Sequence, residues 1–101
     1  MRKVRIGYRD FKIEPFPAGF GERLDGETDF STLTIRFHTD LDPSVKSATL
    51  LHEILHVVYD EYGLAKDDPE ERVVTTLSNG LCQVIRDNPD VLAFIIGGLR
   101  K

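Results

Sequence analysis

Apolar and polar positions alternate from the start of the chain: Val4, Ile6 and Tyr8 stand between Lys3, Arg5, Gly7 and Arg9. A period of two predicts a half-buried strand. Phe11 and Ile13 carry the alternation past Arg9-Asp10 and predict a second short strand or hairpin partner. Pro15 and Pro17 then end it, because proline has no N–H to give a ladder. Residues 18–28 are rich in glycine and charge and predict a loop. A third strand is expected from about Ser31 to His38, where Leu33, Ile35 and Phe37 alternate with Thr32, Thr34 and Arg36.

Beyond residue 42 the pattern turns helical. Asp42-Pro43 supplies an acceptor at the cap and proline at the first helical position, and Gly63 is a fitting stop after Tyr62. Asp68-Pro69 repeats the opening for a second helix to about Asp87, with Glu71 placed to complete a capping box on Asp68. Asn88-Pro89 opens a short apolar third helix expected to end near Gly97-Gly98. No internal repeat, linker or low-complexity segment interrupts this order. Strands first and helices after predict an α+β fold over residues 1–101 as a single domain, a small three-stranded sheet packed on two long helices and a short C-terminal one.

Composition narrows the function more than the fold. With 101 residues, 41% hydrophobic and 30% charged, the chain has the make-up of one globular domain. A net charge of -4 argues against nucleic acid as the main partner. The basic Arg2, Lys3, Arg5 and Arg9 are expected on the solvent face of the first strand. Cys82, the single cysteine, rules out an internal disulfide and, among Leu81, Val84 and Ile85, is expected to be a buried small hydrophobe and not a catalytic thiol. Met1-Arg2-Lys3 leads into the alternating strand and not into an apolar run, and no stretch approaches a membrane span. These features predict a cytoplasmic protein of a reducing compartment, with no membrane partner.

The chemistry is concentrated in His52-Glu53-Ile54-Leu55-His56, inside the first helix. Residues four apart lie on one helical face, so both imidazoles can close on one metal ion, while Glu53 can reach a water held there. Leu50, Leu51, Ile54, Leu55, Val57 and Val58 surround the pair and predict that it lies on a core helix rather than on a solvated face. Catalytic zinc takes three protein ligands and leaves a position for water. No histidine follows His56, and His38 lies upstream at a strand end, so a carboxylate on the following helix is the expected third ligand. Glu70 and Glu71 are the candidates, with Asp67 and Asp68 behind them. Glu70 shares the stripe of Val73, Val74, Leu77 and Leu81, which favours it slightly and would aim it into the space between the helices. Glu71 remains the alternative, although helix-dipole and capping roles account for it equally well.

The run from His52 to Asp60, followed by a glutamate on the next helix, resembles the gluzincin class of zinc peptidases. From about Thr32 to Pro89 the chain is similar to small phage- and prophage-encoded metallopeptidase-like proteins related to the ImmA/IrrE group. The resemblance rests on Thr49-Leu50-Leu51-His52-Glu53 entering the metal helix, the acidic Glu70-Glu71 pair and the leucine-rich Leu77 to Leu81. It implies a minimal zincin-like domain that hydrolyses peptide bonds in a peptide or protein substrate. His52, His56 and a glutamate would hold Zn2+, and Glu53 would act as general base. Asp60 is then a candidate partner for the His56 ring, and Tyr59, Tyr62 and His38 are candidate donors to the oxyanion. The strand before the metal helix, Thr32 to His38, would pair with extended substrate. A zinc-stabilised structural or protein-interaction module without turnover is the competing expectation.

Overall fold

The computed structural model describes residues 2–17 and 25–101. Among them are strands β1 (Lys3–Ile6), β2 (Arg9–Pro15), β3 (Gly26–Asp29) and β4 (Thr34–Phe37), followed by helices α1 (Pro43–Glu61), α2 (Glu70–Asp87) and α3 (Pro89–Leu99). The architecture is α+β, as the order of patterns predicts, but the sheet has four strands in the order β1-β2-β4-β3. β1 and β2 form an antiparallel hairpin whose turn is opened by Gly7 at φ +63, a conformation open to glycine without cost. β2 and β4 run parallel, with Ile13 opposite Ile35, and β4 pairs antiparallel with β3.

β3 is the strand that hydrophobic patterning does not register. Gly26-Glu27-Thr28-Asp29 has no apolar residue, and its end of the 18–28 segment reads as loop; the rest of that segment lies largely outside the described residues. Polar contacts on both faces hold it. Arg36 of β4 pairs across the strand with Glu27 at 2.9 Å and Asp29 at 3.5 Å. On the other face, Gly26 lies so close to α1 that a Cβ there would stand 2.6 Å from Thr49 and 3.0 Å from the Arg36 carbonyl. The third expected strand is shorter than Ser31 to His38 because residues 30–33 form a turn. Asp29 organises that turn: its Oδ1 accepts from the Ser31 hydroxyl at 2.6 Å and from the Ser31 and Thr32 amides. These bonds, the Ser31 hydroxyl's first, hold the Asp29 carboxyl down to about 2.

α1 is the central element, packed on both other helices and on β1, β3 and β4. Leu50, Ile54, Val57 and Val58 follow the helical period and meet Val4, Ile6, Phe11 and Ile35 from the sheet, Val84 from α2, and Val91 and Ile95 from α3. Both prolines open their helices, at Pro43 and Pro89, but the expected acceptor at the cap makes no bond, since neither Asp42 nor Asn88 caps its helix through its side chain; Gly63 follows the end of α1 at φ +73. The α2 start differs. Pro69 occupies the cap position, no side chain caps the helix, and Asp68 instead accepts the Ala65 amide, so the capping box with Glu71 does not form. α3 also runs through Gly97-Gly98 to Leu99. Gly98 is there for packing: a Cβ on it would overlap Ser47 Oγ and the Pro43 carbonyl of α1. Cys82 is exposed, because the buried side of α2 runs through Gly80 and Val84 instead.

Side-chain amides of α2 and its C-cap close one edge of the sheet. The Arg5 amide donates to Asn88 Oδ1 at 2.8 Å, and Asn88 Nδ2 returns a bond to the Arg5 carbonyl at 2.9 Å. Gln83 accepts from the Gly7 amide at 2.8 Å and donates to the same Arg5 carbonyl at 3.0 Å. The outward main-chain groups of Arg5 in β1 are thus satisfied, which blunts this edge of the sheet against pairing with another chain. The described residues include no helix long and apolar enough to cross a membrane.

Candidate metal centre on the first helix

His52 and His56 stand one turn apart on α1 with Nε2 atoms 3.1 Å from each other. Their rings meet edge to face, with centroids 4.7 Å apart. In this arrangement one ring's Nε2–H donates to the other's Nε2. Two histidine nitrogens bound tetrahedrally to one zinc ion at about 2.0–2.1 Å stand about 3.3–3.4 Å apart. The pair therefore already has nearly the separation that a shared ion requires. Both imidazoles are exposed, contrary to the expectation that apolar neighbours would cover them. Those neighbours turn to the other sides of the helix, and the histidines lie on its open stripe with Val45, Ala48 and Tyr59.

Glu53 is placed differently. It is 6% exposed and faces β3, where Thr28 Oγ1 donates to its Oε1 at 2.8 Å. The bond ties the acid to the sheet beside a groove of about 700 Å3 that both His52 and Glu53 line. Gly26 and Asp25 form one rim of that groove, and Leu99 of α3 contributes to its lining. Thr28, Gly26 and Leu99 are the site residues that sequence reasoning does not supply. Gly26 and Thr28 lie in a segment without apolar alternation, and Leu99 sits beyond the glycines expected to end α3.

The downstream carboxylates do not join the histidines. Among the described residues no group of three His, Cys, Asp or Glu side chains is placed to hold a metal ion. Helical phase gives the reason. α1 meets α2 through Val58 and Tyr62, which face Gly80, and through Leu51 and Ile54, which share a cavity with Leu81 and Val84. At 100° per residue that side of α1 is roughly 135° around the axis from the His52–His56 stripe. The stripe through Glu70 does run into the packed side of α2, but its first turn extends past the interface. Glu70 and Glu71 are both exposed there, and Val73 is the first residue of the stripe that is partly covered. Asp67 is exposed, and Asp68 is engaged in the turn before the helix.

The remaining candidates have partners of their own. Asp60 pairs with Arg9 at 3.3 Å, beside the shorter Arg9–Glu61 bridge at 2.6 Å, and does not orient the His56 ring. Arg9 reaches both carboxylates from β2, so the acidic end of α1 is tied to the sheet. The Tyr62 hydroxyl is directed at Gln83 Oε1, 3.5 Å away on the α2 side. His38 stacks against Phe16 with ring centroids 4.6 Å apart. Tyr59 is the one oxyanion candidate on the histidine stripe, 39% exposed and one turn past His56. β4 is paired on both sides, so it has no edge to offer an extended substrate; among the described residues β3 has. The chain matches no protein-family model, no curated protein and no solved structure.

Proposed function

We propose that this protein is a zinc-dependent peptidase of the His-Glu-x-x-His type, with His52 and His56 as metal ligands and Glu53 as general base. The observation that carries the reading is the convergence of the two Nε2 atoms, 3.1 Å apart, with His52 lining a groove that Glu53 also lines. The chemistry an ion supplies when bound there is polarisation of the scissile carbonyl and acidification of water. Glu53 accepts the proton of the attacking water at Oε2, while Thr28 holds Oε1 and fixes the carboxylate plane. The same oxygen returns that proton to the leaving amine. Tyr59, on the same stripe of α1 as the histidines, would donate to the developing oxyanion.

Extended substrate has an edge to pair with at β3. The His38 amide bonds the Asp25 carbonyl at 3.2 Å, which sets the phase of the β3–β4 ladder. Bonded pairs alternate along such a ladder, so Glu27 and Asp29 face β4 and the main-chain groups of Gly26 and Thr28 turn outward. Among the described residues no main-chain bond occupies that side. Strand addition there would lay a peptide across the groove. A cytoplasmic setting fits a chain whose single cysteine is an exposed thiol.

One observation favours the second reading, a zinc-stabilised interaction module without turnover. The Glu53–Thr28 bond has a structural use in joining α1 to β3, a role that requires no general base. Glu53→Gln separates the two. Protein prepared without chelator should contain near-equimolar zinc, lost in His52→Ala and kept in Glu53→Gln. A peptide library cleaved by the native chain should be left intact by Glu53→Gln. Cleavage at an undiminished rate by that variant refutes the assignment of Glu53, and zinc-free native protein refutes the metal.

A further inference from the structure

The groove does not end at the histidines. It continues along α1 toward the N-terminus of the helix, past Ala48 to Val45, and Leu99 from the last turn of α3 also lines it. Val45 and Leu99 are 37% and 51% exposed, large aliphatic side chains left open to water beside a polar reaction centre. On α3, Val91 and Ile95 are buried in the core, while Ile96, which does not line the groove, is also 44% exposed. From His52 to Val45 is seven residues, about 10.5 Å of helix rise. That length matches about three residues of extended chain at 3.3–3.4 Å each. The groove is mixed along this path, with Asp25, Ser44 and Thr49 as polar members of its lining. Gly26 offers outward main-chain groups that suit a peptide backbone, while Val45, Ala48 and Leu99 offer only apolar contact, which suits a side chain. An extended peptide presents both at this spacing.

We infer that Val45, Ala48 and Leu99 form a specificity subsite for an aliphatic residue of a peptide bound in extended form, within about three residues of the bond held at His52 and Glu53. The inference rests on the proposed peptidase reading and names the substrate class that reading leaves open. The position of Leu99 explains why α3 continues through Gly97-Gly98: Gly98 lets the helix lie close on α1, and one residue later Leu99 reaches the groove.

The test uses the full chain in the presence of chelator, so that binding is read without turnover. Blocked pentapeptides of glycine with leucine, glycine or glutamate at the centre are titrated, and the amide resonances of the protein are followed. The leucine peptide should bind on the order of tenfold more tightly than the glycine peptide, the factor for partial burial of one aliphatic side chain. Its shifts should centre on Val45, Ala48 and Leu99. Leu99→Asn should abolish the preference, and Val45→Thr, nearly the same shape, should reduce it. Equal binding of the three peptides, shifts centred elsewhere, or a preference that survives Leu99→Asn overturns the subsite. Zinc content and the Glu53→Gln cleavage assay are independent of these titrations. A failed subsite with zinc and cleavage intact therefore condemns the subsite alone, and an intact preference in a chain without zinc or cleavage leaves the groove as a peptide-binding site.

Discussion

Two adjacent glycines of α3 should respond in opposite directions to the same substitution. Gly97 has nothing within 4 Å of where a Cβ would stand. Gly97→Ala therefore gains only helix propensity, about 0.5–1 kcal/mol in a helix interior. At Gly98 the same methyl would overlap Ser47 Oγ, crowd Ser47 Cβ at 2.9 Å and press on the Pro43 carbonyl. None of these is the far end of a flexible side chain, so relief requires moving α3 away from α1. Overpacking of this kind costs about 1–3 kcal/mol. Contact with main chain places Gly98 in the upper part of that range, and the propensity gain offsets a fraction, leaving a net loss of about 2 kcal/mol. For a chain of this length that is a fall of about 8–16 °C in Tm, against a rise of about 2–8 °C for Gly97→Ala. Urea denaturation and thermal melts of the two variants, with unchanged m-values as the check on two-state behaviour, measure both. If Gly98→Ala stabilises the chain as Gly97→Ala does, α3 does not pack on α1 in the way described, and the position of Leu99 beside the groove loses its basis.

Thr28→Val keeps the shape of β3 but removes the donor to Glu53, and should cost about 1.5–3 kcal/mol in denaturation while leaving zinc stoichiometry unchanged. A loss of less than about 0.5 kcal/mol would mean that the Thr28–Glu53 bond does not hold the acid in place. Arg9→Ala leaves the buried Glu61 carboxylate without its 2.6 Å partner, and a loss of about 3 kcal/mol is expected by the same assay; an unchanged midpoint would refute the bridge. Asp29 titrates lower in the folded chain, at about 2, than in the unfolded chain near 3.8. Its contribution is therefore full above pH 3.8 and lost as pH falls through about 2. The stability difference between native chain and Asp29→Asn should shrink over that window, and a difference independent of pH would contradict the folded pKa.

The elements legible from sequence are those in which one local signal suffices. Asp42-Pro43 and Asn88-Pro89 mark helix starts because proline's missing N–H is free of consequence only there. Val4, Ile6 and Phe11 mark strands because one face of the hairpin is buried and the other is not. β3 is illegible for the opposite reason. Its side-chain contacts, Glu27 and Asp29 with Arg36 across the hairpin and Thr28 with Glu53 twenty-five residues on, are polar, and no hydrophobic periodicity records them. The end of α3 misleads because glycine has two meanings. Gly98 reads as a stop in one dimension and is a close-packing residue in three.

The same distinction runs through the candidate site. His52, Glu53 and His56 are legible because a four-residue spacing on a helix fixes their relative positions whatever surrounds them. The third ligand is not, because it depends on how two helices are rotated against each other, which no single helix encodes. Amphipathic phase shows that Glu70 begins the buried stripe of α2, and α2 does pack on α1 through that stripe. What phase on α2 alone leaves out is that α1 presents to it the side of Leu51, Ile54, Val58 and Tyr62, with the histidines turned roughly 135° away. Glu70 and Glu71 are then solvent-exposed, while the groove at the histidines is bounded by β3 and by Leu99. A substitution at Glu70 or Glu71 should accordingly leave zinc stoichiometry unchanged and cost less than about 0.5 kcal/mol, as exposed positions without a cap or partner do. Loss of zinc in Glu70→Gln, with His52 and His56 intact, would require the first turn of α2 to swing across α1 in the metal-loaded chain and would refute the helix packing as the arrangement that binds the ion.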